Sequence, residues 1–183
     1  MELAEQGYVA LAMCWFGCGG GRNTYGDIEL GDIQAAVDYL KSLETVDGNQ
    51  RGVVGFSRGS SLGLAAAGEM SDFTAVVDYY GASVISDSFT KIIQASPTGR
   101  NYEIQNLNGA VLILHGDGDE TVKVGAAYSL EKQLQKYGKP YEMKIYPGVG
   151  HAFNWVDGRG EYNSQAASDA WNRTLAFFDK HLR

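Results

Sequence analysis

The sequence predicts a single α/β domain, a three-layer α/β/α sandwich built around a mainly parallel sheet. The first observation is five short apolar runs that resemble strands buried on both faces: Tyr8–Cys14, Gly52–Phe56, Ala75–Tyr80, Ala110–His115 and Tyr141–Tyr146. The second is four segments with apolar residues at helical intervals of three and four: Asp32–Leu43, Ser60–Met70, Gly125–Tyr137 and Ala166–His181. Strands that alternate with helices form parallel sheets with helices on both faces.

Composition limits the class of protein. With 183 residues, of which 44% are hydrophobic, the chain can bury one substantial core, so residues 1–183 are expected to form one domain. A net charge of −7 argues against binding to nucleic acid or to anionic lipid, because both require a basic surface. No signal peptide and no membrane-spanning run stands out, and a cytoplasmic location is expected.

The two cysteines, Cys14 and Cys18, lie four positions apart in a glycine-rich segment. No other cysteine completes a metal site, so the pattern argues against zinc. Two free thiols are expected, and a disulfide across this segment remains an alternative.

A serine stands between two glycines directly after the second predicted strand, in Gly-Phe-Ser-Arg-Gly at 55–59. A serine at the tip of a sharp strand-to-helix turn has a strained backbone, and small residues at −2 and +2 allow the turn to pack. We therefore expect Ser57 Oγ to be presented above the sheet, with both Gly55 and Gly59 needed for the turn. The N–H of Arg58 then points to where an oxyanion would form.

A serine hydroxyl needs a base to take its proton, and the chain has three histidines. His181 lies near the end of an amphipathic helix and reads as a solvated residue. His115 ends the fourth predicted strand, where a ring nitrogen can satisfy local backbone. His151 lies in a glycine-rich loop after the last strand, at the same edge of the sheet as Ser57. It is the best candidate for the base.

The acid that orients this base is expected after the fourth strand, in His-Gly-Asp-Gly-Asp-Glu-Thr-Val at 115–122. Asp117, Asp119 and Glu120 all compete for the role, and composition does not separate them. A turn that ends at Val122 favours Asp119 as the inward-facing group. The other two carboxylates are then solvated loop residues.

These three motifs, in this chain order, resemble the α/β-hydrolase fold and, within it, the dienelactone hydrolase family. Gly-Tyr-Val at 7–9 and Tyr-Tyr-Gly at 79–81 extend the resemblance over nearly the whole chain. It implies Ser57 as nucleophile, Asp119 as acid, His151 as base and the Arg58 N–H as an oxyanion donor. The implied activity is hydrolysis of small carboxylic esters or lactones through an acyl-enzyme, with no metal or cofactor. The aromatic candidates for lining the substrate pocket are Trp15, Phe16, Phe89, Tyr102, Phe153 and Trp155.

Two departures from the family pattern bear on these expectations. Dienelactone hydrolases themselves carry cysteine where this chain has Ser57, which favours general ester hydrolysis over action on dienelactones. The family also has strands before the helix that residues 1–7 represent, and one of them lies between the strands that here are Tyr8–Cys14 and Gly52–Phe56. Without it the two strands could pair directly, another chain could lend a segment, or these residues could be one part of a longer protein. Of these we expect a shortened sheet that self-associates through its exposed edge. The loop that supplies the second oxyanion N–H is missing too, so activity is expected to be modest.

Three other functions fit less well. A peptidase of the prolyl-oligopeptidase type shares the motifs, but the chain has no room for a gating domain. A non-catalytic hydrolase-like binding protein is disfavoured by the intact serine, aspartate and histidine. Nucleotide binding through Phe-Gly-Cys-Gly-Gly-Gly-Arg-Asn at 16–23 is disfavoured because a phosphate cradle opens directly into a helix, and this segment continues as a loop.

Overall fold

The computed structural model describes residues 2–13, 30–46, 50–81, 104–156, 158 and 160–183. These residues form a parallel four-stranded sheet in the order β1-β2-β3-β4. The strands are β1 (Arg51–Phe56), β2 (Phe73–Tyr79), β3 (Ala110–Gly116) and β4 (Tyr141–Tyr146). The α-helices are α1 (Glu2–Glu5), α2 (Leu30–Ser42), α3 (Arg58–Glu69), α4 (Gly125–Lys136) and α5 (Ser164–Leu182), and a 3₁₀ turn covers Ile104–Asn106.

The helices lie in two layers, one on each face of the sheet. Alternate strand residues point to opposite faces, so Val76 and Ile113 pack with the apolar sides of α2, α3 and α4. Val77 and Leu114 point the other way and pack with Phe177 of α5. This arrangement confirms the predicted three-layer α/β fold. Within the described residues, no helix is long and apolar enough to cross a membrane.

The parallel register brings the carboxyl ends of all four strands to one edge of the sheet. Phe56 is paired with Tyr79, Tyr79 with Leu114, and Gly116 with Tyr146. The segments that follow the four strands therefore meet at this edge, as expected for the ligand side of an open α/β sheet.

Four of the five predicted strands and all four predicted helices are present, with ends within two residues of the predicted ones. The prediction of a strand at Tyr8–Cys14 is wrong for residues 8–13, which form no strand, and Cys14 lies outside the described residues. A cavity of about 500 Å³ separates this segment from β1 and is lined by Val9 and Leu11 on one side and by Gly52 and Val53 on the other.

The reason for this failure is that a strand needs a partner for its backbone groups. The apolar character of residues 8–13 is typical of a strand. However, β1 lies across the cavity and pairs with β2 alone in the described sheet. Among the described residues, no strand fills the space between the two segments. Whether the protein self-associates there remains a prediction.

Candidate active site

Ser57 lies at the turn between β1 and α3, with a backbone conformation that L-residues rarely adopt. Its φ is 52° and its ψ is −118°, and such strain is kept where the surrounding structure enforces it. The Ser57 N–H donates to the Tyr79 carbonyl at 2.9 Å, which ties the turn to the end of β2. Helix α3 begins at Arg58, so the turn has the predicted strand-to-helix form.

The two glycines that flank Ser57 differ in what they contribute to the turn. A Cβ at Gly55 would lie 2.4 Å from both the Gly59 carbonyl oxygen and the Ser60 Cα. A Cβ at Gly59 would meet nothing within 4 Å among the described residues. Packing among the described residues thus requires glycine at 55. The same residues leave room for a side chain at 59, so the need for a small residue there stays a prediction.

Ser60 also supports the turn, and the sequence analysis missed it. The Ser60 side chain is 1% exposed, and its Oγ lies 2.6 Å from the Gly55 carbonyl oxygen and 3.1 Å from that of Tyr79. The hydroxyl therefore joins the carboxyl ends of β1 and β2 directly beneath Ser57. The available signal was a polar residue at the start of an otherwise small and apolar helix.

The structure brings Ser57, His151 and Asp119 together in that order. His151 Nε2 is 3.0 Å from Ser57 Oγ, and His151 Nδ1 is 2.6 Å from Asp119 Oδ2. An ionised carboxylate only accepts hydrogen bonds, so Nδ1 donates to it. That leaves the lone pair of Nε2 facing the serine hydroxyl, which is the arrangement a general base requires.

The carboxylate of Asp119 is buried and well supplied with donors. Its Oδ1 accepts from the backbone N–H groups of Thr121 at 2.9 Å and Val122 at 2.7 Å. Burial alone would raise the pKa of Asp119, but hydrogen bonds from His115, His151 and Val122 outweigh it and hold the pKa well below the usual range. Asp119 is therefore ionised at neutral pH.

The other two candidate acids lie elsewhere. Asp117 Oδ1 accepts from the Gly148 N–H at 2.5 Å, which ties together the loops after β3 and β4. Glu120 is exposed and pairs with Lys123. Of the three carboxylates in this loop, Asp119 is thus the one that lies against His151.

The aromatic candidates for the substrate pocket divide into three groups. Phe153 is fully buried, with ring centroids of Tyr80 and Tyr146 each 5.3 Å away, so it belongs to the core behind His151. Trp155 is 43% exposed on the same loop. Four candidates fall outside the described residues, namely Trp15, Phe16, Phe89 and Tyr102.

Tyr80 is a further residue at the site that the sequence analysis did not single out. Its ring lies edge-on to that of His151 with centroids 4.9 Å apart, and its hydroxyl donates to Asn154 Oδ1 at 2.5 Å. Burial is the main reason that the pKa of Tyr80 is raised, so the hydroxyl stays protonated and keeps this donor. The tyrosine thus braces both the base and the loop that carries it.

Backbone strain is concentrated around this site. Among the described residues, the non-glycine positions with positive φ are Ser57, Tyr80 (φ 40°) and Ala152 (φ 54°). Ser57 and Tyr80 follow β1 and β2 directly, and Ala152 adjoins His151. Strained backbone of this kind clusters at functional sites, and no propensity pattern in the sequence reveals it.

A serine on a strained strand-to-helix turn, with imidazole and carboxylate in sequence behind it at the carboxyl edge of a parallel sheet, is the arrangement of α/β hydrolases. The family model described as "Dienelactone hydrolase family" matches residues 22–182. The chain therefore belongs to the dienelactone hydrolase family, which confirms the resemblance.

Individual relatives agree with this assignment. The protein named "Protein usf" of Aquifex pyrophilus is 31% identical over 151 residues, covering 82% of this chain and 59% of its own length. A Bradyrhizobium protein named "Probable 2-oxo-3-(5-oxofuran-2-ylidene)propanoate lactonase" is 30% identical over 153 residues, covering 84% of this chain and again 59% of its own. The chain thus spans well under two thirds of the length of both.

Solved structures show the same fold. A dienelactone hydrolase-like promiscuous phosphotriesterase from metagenomic libraries superposes with a TM-score of 0.71 at 20% identity. The match covers 98% of this chain and 77% of that one. At this level of identity the likeness extends to the fold alone.

Proposed function

We propose that this protein is a serine hydrolase that cleaves small carboxylic esters or lactones through an acyl-enzyme. The observation that carries the proposal is the continuous hydrogen-bonded series Ser57, His151 and Asp119, with distances of 3.0 Å and 2.6 Å. Membership of the dienelactone hydrolase family supports the reaction class.

In the proposed acylation step, Ser57 Oγ attacks the carbonyl carbon of the substrate while His151 Nε2 takes the hydroxyl proton. The carbonyl oxygen becomes an oxyanion, and in this proposal the backbone N–H of Arg58, the first residue of α3, stabilises it. The bond between the carbonyl carbon and the alkoxy oxygen then breaks, and His151 returns its proton to the leaving oxygen. An ester releases an alcohol, whereas a lactone opens to a hydroxyacyl group that stays on Ser57.

Deacylation uses the same groups on a water molecule. His151 Nε2 takes a proton from the water, the resulting hydroxide adds to the acyl carbon, and the Ser57 oxygen leaves with the proton that His151 returns. Throughout, Asp119 fixes the imidazole with Nε2 toward Ser57 and stabilises the imidazolium that forms twice in each cycle.

The proposed substrate class rests on the residue at the nucleophile position and on the name of one relative. The curated Bradyrhizobium relative carries a lactonase name, which supports a lactone or a small ester as substrate. The serine at position 57 favours general carboxylic esters over dienelactones, because dienelactone hydrolases carry cysteine there. Trp155, which is 43% exposed on the loop that follows His151, is the described candidate that we propose to contact an acyl or alcohol group.

The test is hydrolysis of p-nitrophenyl acetate and of a small unsubstituted lactone by the wild type and by Ser57→Ala. We expect the variant to lose on the order of 10³-fold or more in kcat. Ser129→Ala serves as the control, since this hydroxyl bonds to the Gly125 carbonyl on α4 and lies away from the site. A Ser57→Ala enzyme with wild-type kcat would remove Ser57 as nucleophile.

A further inference from the structure

The turn that carries Asp119 is closed by a second histidine, His115, at the carboxyl end of β3. His115 is 1% exposed, and its Nε2 lies 2.8 Å from the Val122 carbonyl oxygen. A carbonyl oxygen only accepts hydrogen bonds, so Nε2 carries a proton. The N–H of the same Val122 donates to Asp119 Oδ1 at 2.7 Å. Val122 therefore links His115 to Asp119: its carbonyl oxygen accepts from His115 and its N–H donates to Asp119.

The same ring nitrogen also lies near the carboxylate itself. His115 Nε2 lies 3.5 Å from Asp119 Oδ2, and this oxygen is the one that accepts from His151 Nδ1 at 2.6 Å. Both the His115 and the Asp119 side chains are almost wholly buried, so water screens their attraction little. One carboxylate oxygen thus lies between two imidazoles, of which one adjoins Ser57 and the other is anchored on a central strand.

A further carboxyl group, that of Asp78, approaches His115 from β2. Asp78 pairs with Ile113 in the parallel register, and His115 follows two residues later, so the two side chains stand on the same face. Burial alone would lower the pKa of His115, but its contacts with Asp119 and Val122 and the charge of Asp78 raise it overall. Among the described residues, the charged groups that act on the His115 ring are Asp78 from β2 and Asp119 from the loop after β3.

We propose that His115 is a positioning residue for the reaction described above, on which this inference rests. By holding the Val122 carbonyl and lying against Oδ2, it fixes the Asp119 carboxylate in the orientation that receives His151 Nδ1. His115 contacts none of the reacting atoms and acts through Asp119 alone. His115 is distinct from the triad. It anchors the Asp119 carboxylate to the central sheet, so that the orientation of this carboxylate does not depend on the loop alone.

The kinetic test compares His115→Leu, which removes the donor, with His115→Gln, whose side-chain amide N–H reaches about as far as the Nε2–H of histidine. We expect His115→Leu to lose about 10- to 100-fold in kcat, by analogy with the loss of a residue that orients a metal-binding side chain, with KM changed less than about twofold. His115→Gln should recover most of the loss. His181→Gln, on the last turn of α5, is the control histidine and should match the wild type.

A second readout does not depend on catalysis. The proton that His151 Nδ1 donates to the buried carboxylate gives a far-downfield proton NMR resonance, which histidine-selective ¹⁵N labelling resolves because the chain has three histidines. The proposal predicts that this resonance persists in His115→Gln and broadens by exchange in His115→Leu, since Asp119 is then less fixed. If His115→Leu does not fold, His115→Asn replaces it, because the shorter amide falls short of the Nε2 position.

A resonance and a kcat that both stay at wild-type values in the donor-free variant would overturn the proposal. So would a resonance that moves further downfield, because His115 would then merely compete with His151 for Oδ2. A wild-type protein that fails to hydrolyse any ester or lactone would contradict the proposed function but not the positioning role of His115. The NMR comparison would still decide the role of His115.

Discussion

Asp119 shows how a single residue acquires its hydrogen-bond partners from the backbone around it. The sequence offered Asp117, Asp119 and Glu120 within four positions, and nothing in their composition distinguished them. The backbone of the turn decides between them, because it directs two N–H groups at Asp119 Oδ1 and leaves Oδ2 for His151. Ser57 and His151 were predictable, since glycine-rich motifs mark both positions at one edge of the sheet. The contacts that Ser60, Tyr80 and His115 make around the site join different strands and loops, and no local pattern encodes them.

The depressed pKa of Asp119 predicts how stability depends on pH. A carboxyl group whose folded pKa lies below its unfolded value, about 3.9, stabilises the fold above that value, and the contribution is lost as pH falls through the folded pKa. Asp119→Asn should therefore be less stable than the wild type at pH 7, with a deficit that shrinks below about pH 4. Urea unfolding at pH 7 and at pH 3.5 measures the difference in free energy of unfolding between Asp119→Asn and the wild type at each pH.

Glu120→Gln is the matched control for that experiment, since Glu120 forms an exposed pair with Lys123 and such pairs contribute little. We expect it to track the wild type at both pH values. A deficit in Asp119→Asn that is the same at pH 7 and pH 3.5 would contradict the account of this carboxylate.

Among the elements, the apolar runs and helical periodicities correctly predicted four of five strands and all four helices, because these segments bury their side chains against one another. The segment Tyr8–Cys14 has the same apolar character, yet residues 8–13 form no strand. Side-chain character is local to a segment, whereas strand formation depends on a neighbouring strand to pair with. The turn between β1 and α3 makes the same point about glycine, because its two flanking glycines look equivalent in the sequence and differ in the fold.

This difference gives a paired prediction for the turn. Gly55→Ala places a Cβ 2.4 Å from the backbone of Gly59 and Ser60, and relieving such a contact costs about 1–3 kcal/mol or more. Gly59→Ala meets open space among the described residues and replaces glycine in a helix, which favours folding by up to about 1 kcal/mol. Urea unfolding of both variants checks the prediction, and equal stabilities would show that the described turn packing is not what constrains position 55.

At the scale of the whole molecule, the sheet serves to place residues that are far apart in the chain at one edge. Ser57 and His151 are 94 positions apart and Asp119 and His151 are 32 apart, and the parallel register alone brings them together. The order of the motifs predicted this convergence, because each motif follows a predicted strand. The space beside β1 was inferred from the resemblance, since only a known sheet order shows where a strand is missing.

In the proposed mechanism the folded chain activates Ser57 through His151. The most direct measurement is reaction of the folded protein with a fluorophosphonate probe, followed by intact mass and peptide mapping. We expect one adduct per chain on the peptide that contains Ser57, no adduct in Ser57→Ala, and much slower labelling in His151→Gln. An unlabelled folded wild type, or an adduct on any residue other than Ser57, would contradict it.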